Sequence, residues 1–150
     1  MSSQQKAIYT LGTSRRESQE FLDLLINNSI EMVVDVRRFP TSKFEHFKRD
    51  RLSKLLVESG IEYSYLGKEL GGYRSHGYLS FINTEEFKEG LDQLEKIAQQ
   101  KKVAIVCAER FPWRCHRRFI GLELERHGWK VVHIIDNKRS WVPKSQRENG

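Results

Sequence analysis

The chain has 150 residues, of which 38% are hydrophobic and 31% charged, and it carries a net charge of +6 with a pI near 9.4. That length and balance describe one soluble globular domain with a single sizeable core. They exclude a disulfide framework, since Cys107 and Cys115 are the only cysteines, and a membrane span, which needs about 20 apolar residues in a row.

Apolar spacing sets out the expected elements in chain order. Residues 7–12 (A-I-Y-T-L-G) form a short apolar run closed by glycine, a first strand. Residues 17–28 place Phe21, Leu24, Leu25 and Asn28 at helical spacing, with Ser14 as a candidate cap. Residues 31–37 (E-M-V-V-D-V-R) read as a buried strand ending in charge. Residues 49–59 carry Leu52, Leu55 and Leu56 up to Gly60, a candidate helix C-cap. Residues 61–66 alternate as a strand does. A helix follows over 84–99, capped by Thr84, although Phe87 stands where a capping box wants an acid or amide. Residues 103–107 (V-A-I-V-C) are a strand, 115–127 a helix closed by Gly128, and 130–135 the last strand. Residues 39–48 and 67–83 read as loops. Residues 6–141 form the expected ordered core and 142–150 a polar tail.

Strict alternation implies right-handed crossovers and a parallel sheet covered on both faces. The expectation is an α/β fold: a single doubly wound domain of about five mostly parallel strands with helices on both faces. Ligands of such sheets bind beyond the carboxyl ends of the strands. That edge receives Gly12, Thr13 and Ser14; Asp35, Arg37 and Arg38; Gly67, Lys68, Glu69, Gly71 and Gly72; Cys107, Glu109 and Arg110; and Asp136 and Asn137, with His133 just inside.

Two features of this edge point to nucleic acid. Basic residues follow the second strand (Arg37, Arg38, Lys43, Lys48, Arg49, Arg51) and interleave with Phe39, Phe44, His46 and Phe47. Arg110, Arg114, Arg117 and Arg118 surround Phe111 and Trp113. Guanidinium groups match phosphates, and aromatic rings offer faces to unstacked bases. Asp35 and Glu109 are the candidate acids, with pairing to Arg37 or Arg117 as their structural alternative. Cys107 and Cys115 are thiols, of which the second would be activated at a helix start. No dinucleotide or P-loop fingerprint occurs, since G-K-E-L-G-G is neither, and no cofactor or metal is expected.

The motifs Y-T-L-G-T-S-R, V-D-V-R-R-F-P, Y-L-G-K-E-L-G-G, C-A-E-x5-C-H-R-R and V-x-H-I together resemble the domain-of-unknown-function family 488, over about residues 9–135. The blocks D-V-R-R-F-P and C-A-E…C-H-R are the specific ones. The resemblance implies a small α/β domain and a link to DNA-base repair. The chain departs from the family at Arg110–Arg114, where R-F-P-W-R replaces a spacer that is often acidic. D-V-R after a strand and Cys107 ending another are also similar to rhodanese-like sulfurtransferases. Glu109 opposes a thiolate there and Pro112 removes an N–H donor. A phosphatase loop fails because Trp113, not arginine, stands six residues after Cys107.

The resulting expectation is a cytoplasmic enzyme acting on nucleic acid, DNA before RNA, and not on membranes. Its most concrete form is a DNA glycosylase that hydrolyses the N-glycosidic bond of a damaged base flipped from the stack. Asp35 and Glu109 are the expected catalytic carboxylates. Arg37, Arg38, Lys43, Cys115, His116, Arg117 and Arg118 are the expected contacts to the strand, and Phe39, Tyr73 and Trp113 are expected to stack on the base. The alternatives are a non-catalytic binding module and a thiol-dependent enzyme.

Overall fold

The central sheet of the computed structural model has six strands, and residues 6–39, 44–72, 74, 77–112 and 116–142 are described. The strands are β1 (Ala7–Gly12), β2 (Met32–Asp35), β3 (Glu62–Tyr65), β4 (Val103–Cys107), β5 (Lys130–Ile134) and β6 (Ser140–Trp141). Their order across the sheet is β3-β2-β4-β1-β5-β6. The first five pair in parallel, and β6 runs antiparallel to β5. The α/β fold with a mostly parallel sheet therefore holds. The expected five strands gain one, the two-residue β6, which pairs His133 with Trp141.

The helices divide by face, and the division follows the handedness of the crossovers. The connections from β1 to β2 and from β2 to β3 run one way across the sheet. They carry α1 (Ser18–Asn27) and α2 (Arg49–Glu58). Both bury their apolar stripes, Phe21, Leu24 and Leu25 with Leu52 and Leu56, against Val33, Ala104 and Val106. The connections from β3 to β4 and from β4 to β5 run the opposite way. A right-handed crossover running back must lie on the other face. Accordingly α5 (Glu85–Gln100) and α6 (Arg117–Arg126) pack Phe87, Leu91, Leu94, Ile120 and Leu124 against Ile8, Val34 and Ile105. β4 lies between β2 and β1 and is buried along its whole length.

Both segments expected as loops contain short helical pieces. The 3-10 turn Glu45–Phe47 precedes α2. The glycine-rich connection holds α3 (Gly67–Leu70) and α4 (Tyr78–Phe81). Side chains between and within these pieces tie them to each other. The Arg74 guanidinium lies 3.7 Å from the Phe81 ring centroid and donates to the Gly71 carbonyl at 2.9 Å, and the Tyr78 hydroxyl donates to the Leu70 carbonyl at 2.8 Å. Ser14 does not cap α1: the N-cap is Glu17, without a side-chain bond, and Ser14 has a positive φ of 48°. Thr84 caps α5 as expected, its hydroxyl accepting from the Phe87 N–H at 3.2 Å.

Candidate functional site

Because β1 to β5 are parallel, the loops after them share one edge. The crossover from β2 leaves toward β3, and the crossover from its neighbour β4 leaves the opposite way, toward β5. The chain therefore parts between the carboxyl ends of β2 and β4, the place where open α/β sheets form a ligand crevice. Between β4 and β1, by contrast, the loops stay together. The Thr13 and Ser14 N–H groups donate to the carbonyls of Cys107 and Ala108, each at 2.8 Å. Gly12 permits this approach, because a Cβ there would fall 1.8 Å from the Glu109 carbonyl oxygen.

Asp35 ends β2 and points toward the α1–α2 face, as Val33 two residues earlier does. It is 0% exposed. One carboxylate oxygen accepts from the Arg37 backbone N–H at 3.1 Å and from Arg37 Nε at 2.8 Å. The other accepts from Arg37 Nη2 at 2.8 Å and from the Tyr63 hydroxyl at 2.6 Å. Arg37 also donates to the Phe47 carbonyl at 2.6 Å and is buried. Burial alone lowers a guanidinium pKa, but here the Asp35 carboxylate outweighs it and raises that of Arg37. Burial and then the Asp35 charge push the Tyr63 hydroxyl up, so it stays a donor. Asp35 and Arg37 thus neutralise each other inside the protein and fix the start of the β2 loop.

Arg117 is likewise 0% exposed, and its Nη2 donates to the Arg110 carbonyl at 2.7 Å. His116 lies between layers. Its ring meets the Val36 carbonyl through Nε2 at 3.0 Å and lies 5.3 Å from the Tyr78 ring. A carbonyl only accepts, so Nε2 carries the hydrogen. Burial, then Arg117 and Arg74, push the His116 pKa down to about 4. The imidazole is neutral at pH 7 and holds the start of α6 against β2.

The side chains that reach solvent at this edge form a different set. Phe39 is 62% exposed, with the Arg38 guanidinium 5.4 Å from its ring centroid. Arg38 is itself set in place: its carbonyl accepts from the Tyr65 hydroxyl at 2.7 Å, and a Cβ on Gly71 would lie 2.5 Å from the Arg38 Cβ. Lys68 at α3 is exposed. Arg118 is half-buried over the Phe119 ring at 4.6 Å. Glu109 is exposed, and its carboxylate makes no ion pair with another described residue. Cys107 is buried, its Sγ 3.8 Å from the Glu109 carbonyl oxygen. Lys43, Tyr73, Trp113 and Cys115 lie outside the described residues.

Two residues of this edge escaped the sequence reading, Arg16 and Glu20. Arg16 is buried and Glu20 accepts from it at 2.9 Å. Their spacing of four at the start of a helix was the available signal. No cluster of three or more His, Cys, Asp or Glu that could hold a metal ion occurs among the described residues. No helix among them is long and apolar enough to cross a membrane.

A model of the family described as "Domain of unknown function DUF488" matches residues 17–123, more than half of the chain. The chain belongs to this family. The DUF488 match takes in D-V-R-R-F-P, Y-L-G-K-E-L-G-G and C-A-E-x5-C-H-R-R. It therefore spans the loops after β2, β3 and β4, while β1 and β5 lie outside it. No curated protein and no solved structure matches the chain.

Proposed function

We propose that this DUF488 chain is a nucleic-acid-acting hydrolase whose substrate, DNA before RNA, runs along the carboxyl edge of the sheet. In its most concrete form it is a glycosylase that removes a damaged base. The observation that carries the reading is Phe39: a large aromatic ring held exposed beside the Arg38 guanidinium, on a loop at the point where the crossovers part. An exposed ring next to a cation suits a base and its phosphate. Lys68 in α3 and Arg118 in the first turn of α6 add positive charge at the same edge.

Of the two candidate acids, Glu109 takes the reacting role in this reading and Asp35 positions Arg37. Cleavage of the N-glycosidic bond leaves positive charge on the sugar as the bonding pair departs with the base. A carboxylate stabilises that charge and takes a proton from the water that adds to the sugar carbon. The burial of Asp35 favours a second reading, a non-catalytic binding module, since only one of the two candidate acids is exposed.

Base release from damaged duplexes separates the two. Glu109→Gln is expected to lower turnover at least about 100-fold while binding to the same duplex stays within about twofold. Turnover that survives the substitution removes Glu109, and absence of release by the unaltered chain leaves the binding module. Binding of a short oligonucleotide should weaken steeply with salt as phosphate contacts are lost. A flat salt response removes nucleic acid from the reading.

A further inference from the structure

The edge holds a second group of cations, on the β1 side, that the reading above does not use. Arg16 is fixed on three sides. Its Nε donates to the Gly12 carbonyl at 2.8 Å, its Nη2 to the Ile135 carbonyl, and its own carbonyl accepts from His46 Nε2 at 2.8 Å. Only Nη1 is left to face outward, and it meets Glu20 Oε2 at 2.9 Å. The same carboxylate oxygen lies 4.0 Å from Nη2 of Arg110, on the β4 loop. Arg117 stands behind, bonded to the Arg110 carbonyl. Among the described residues, Glu20 is the carboxylate paired with either arginine.

We propose that Arg16 and Arg110 form a phosphate seat, that Glu20 fills it with its carboxylate while it is empty, and that an arriving phosphate group displaces Glu20. A carboxylate oxygen between two guanidiniums stands where a phosphate oxygen binds such a pair. The frame is already rigid, since the β1 and β4 loops are bonded to each other. The blocking group is the movable one: Glu20 is 44% exposed and Arg110 30%, whereas the Arg16 side chain is 0%. Burial, then the like charges of Arg110 and Arg117, lower the Arg16 pKa, which marks a place short of negative charge. Glu109 is the neighbour of Arg110, so a phosphate held here lies on the loop that carries the proposed acid. The phosphate comes from the strand if the reading above is right, and from free phosphate if it is not.

The test uses the whole chain with Glu20→Gln, Arg110→Gln and the double substitution, and Glu17→Gln as a control that removes the same charge from an exposed site one turn away. One arm measures binding of a short oligonucleotide across a salt series. The other measures the rise in Tm with inorganic phosphate against chloride at equal ionic strength. In the first arm E20Q is expected to bind roughly three- to tenfold more tightly. R110Q should cancel that gain and lower the salt slope by about one phosphate contact. A response confined to the phosphate arm keeps the seat, assigns it to free phosphate and removes the strand. No gain for E20Q in either arm, a gain that survives R110Q, or an equal gain for E17Q overturns the seat.

Discussion

Asp35 and Arg37 stand two residues apart, so on an extended backbone both side chains leave the same face. The D-x-R spacing therefore already held their pairing. What it did not hold was the third partner, because Tyr63 arrives from β3 through a register of Asp35 opposite Tyr65 that no local pattern encodes. Removing one charge of a buried pair leaves the other uncompensated. Asp35→Asn is expected to cost about 3–5 kcal/mol, read from the urea midpoint at constant slope. Tyr63→Phe, which deletes one bond to that carboxylate, should cost about 1–2 kcal/mol. A stability unchanged by D35N would mean that the pair is not buried as described. The gathering of candidate residues on one edge was legible because it needs only parallel strands. Whether each side chain turned outward was not, since Phe39 and Arg37 lie in the same short motif and end in opposite surroundings.

The elements show the same division between local and tertiary causes. β1, β2, β4 and α5 were readable because apolar period and caps act within a few residues. Thr84 is an example: its hydroxyl closes the first turn of α5 ahead of Glu85 and Glu86. Thr84→Ala is expected to lower stability by about 1 kcal/mol, whereas Ser14→Ala should remove no cap bond. Thermal unfolding of the two variants checks the contrast. α3, α4 and β6 were not readable. Each is four residues or fewer, too short to form without support, and each leans on a partner outside itself: α3 packs on α5, Tyr78 of α4 stacks on Phe119, and β6 pairs with β5. The order of the strands was hidden for a similar reason: alternation implies parallel pairing but does not say which strands are neighbours. Gly12 sits at one such long-range seam. Gly12→Ala must push the β1 and β4 loops apart, at a cost of about 1–3 kcal/mol or more, and should speed amide exchange at Thr13 and Ser14, whose N–H groups bridge the seam.

For the molecule as a whole, two inward histidines set the response to acid. His133 lies buried against Thr10, with Nδ1 and Oγ1 2.6 Å apart, and burial, then Arg117, push its pKa down to about 3. His116 is pushed down to about 4. Both values lie below that of an unfolded histidine, near 6.5. The unfolded chain therefore binds protons that the folded chain refuses, and stability falls as pH drops from about 6.5 toward 4. Each histidine contributes up to about 1.4 kcal/mol per pH unit within its window. His133→Gln should make the fall between pH 6.5 and 4.5 shallower in urea titrations, and an unchanged slope would show that His133 is not held neutral. The strand order has a further consequence, for synthesis on the ribosome. β1 and β2 flank β4 and do not touch each other as neighbours. The amino-terminal two thirds of the chain thus emerges with a slot one strand wide in its middle, and waits for Val103–Cys107. A nascent chain arrested before residue 103 should remain open to protease, and one arrested with that segment clear of the exit tunnel should not.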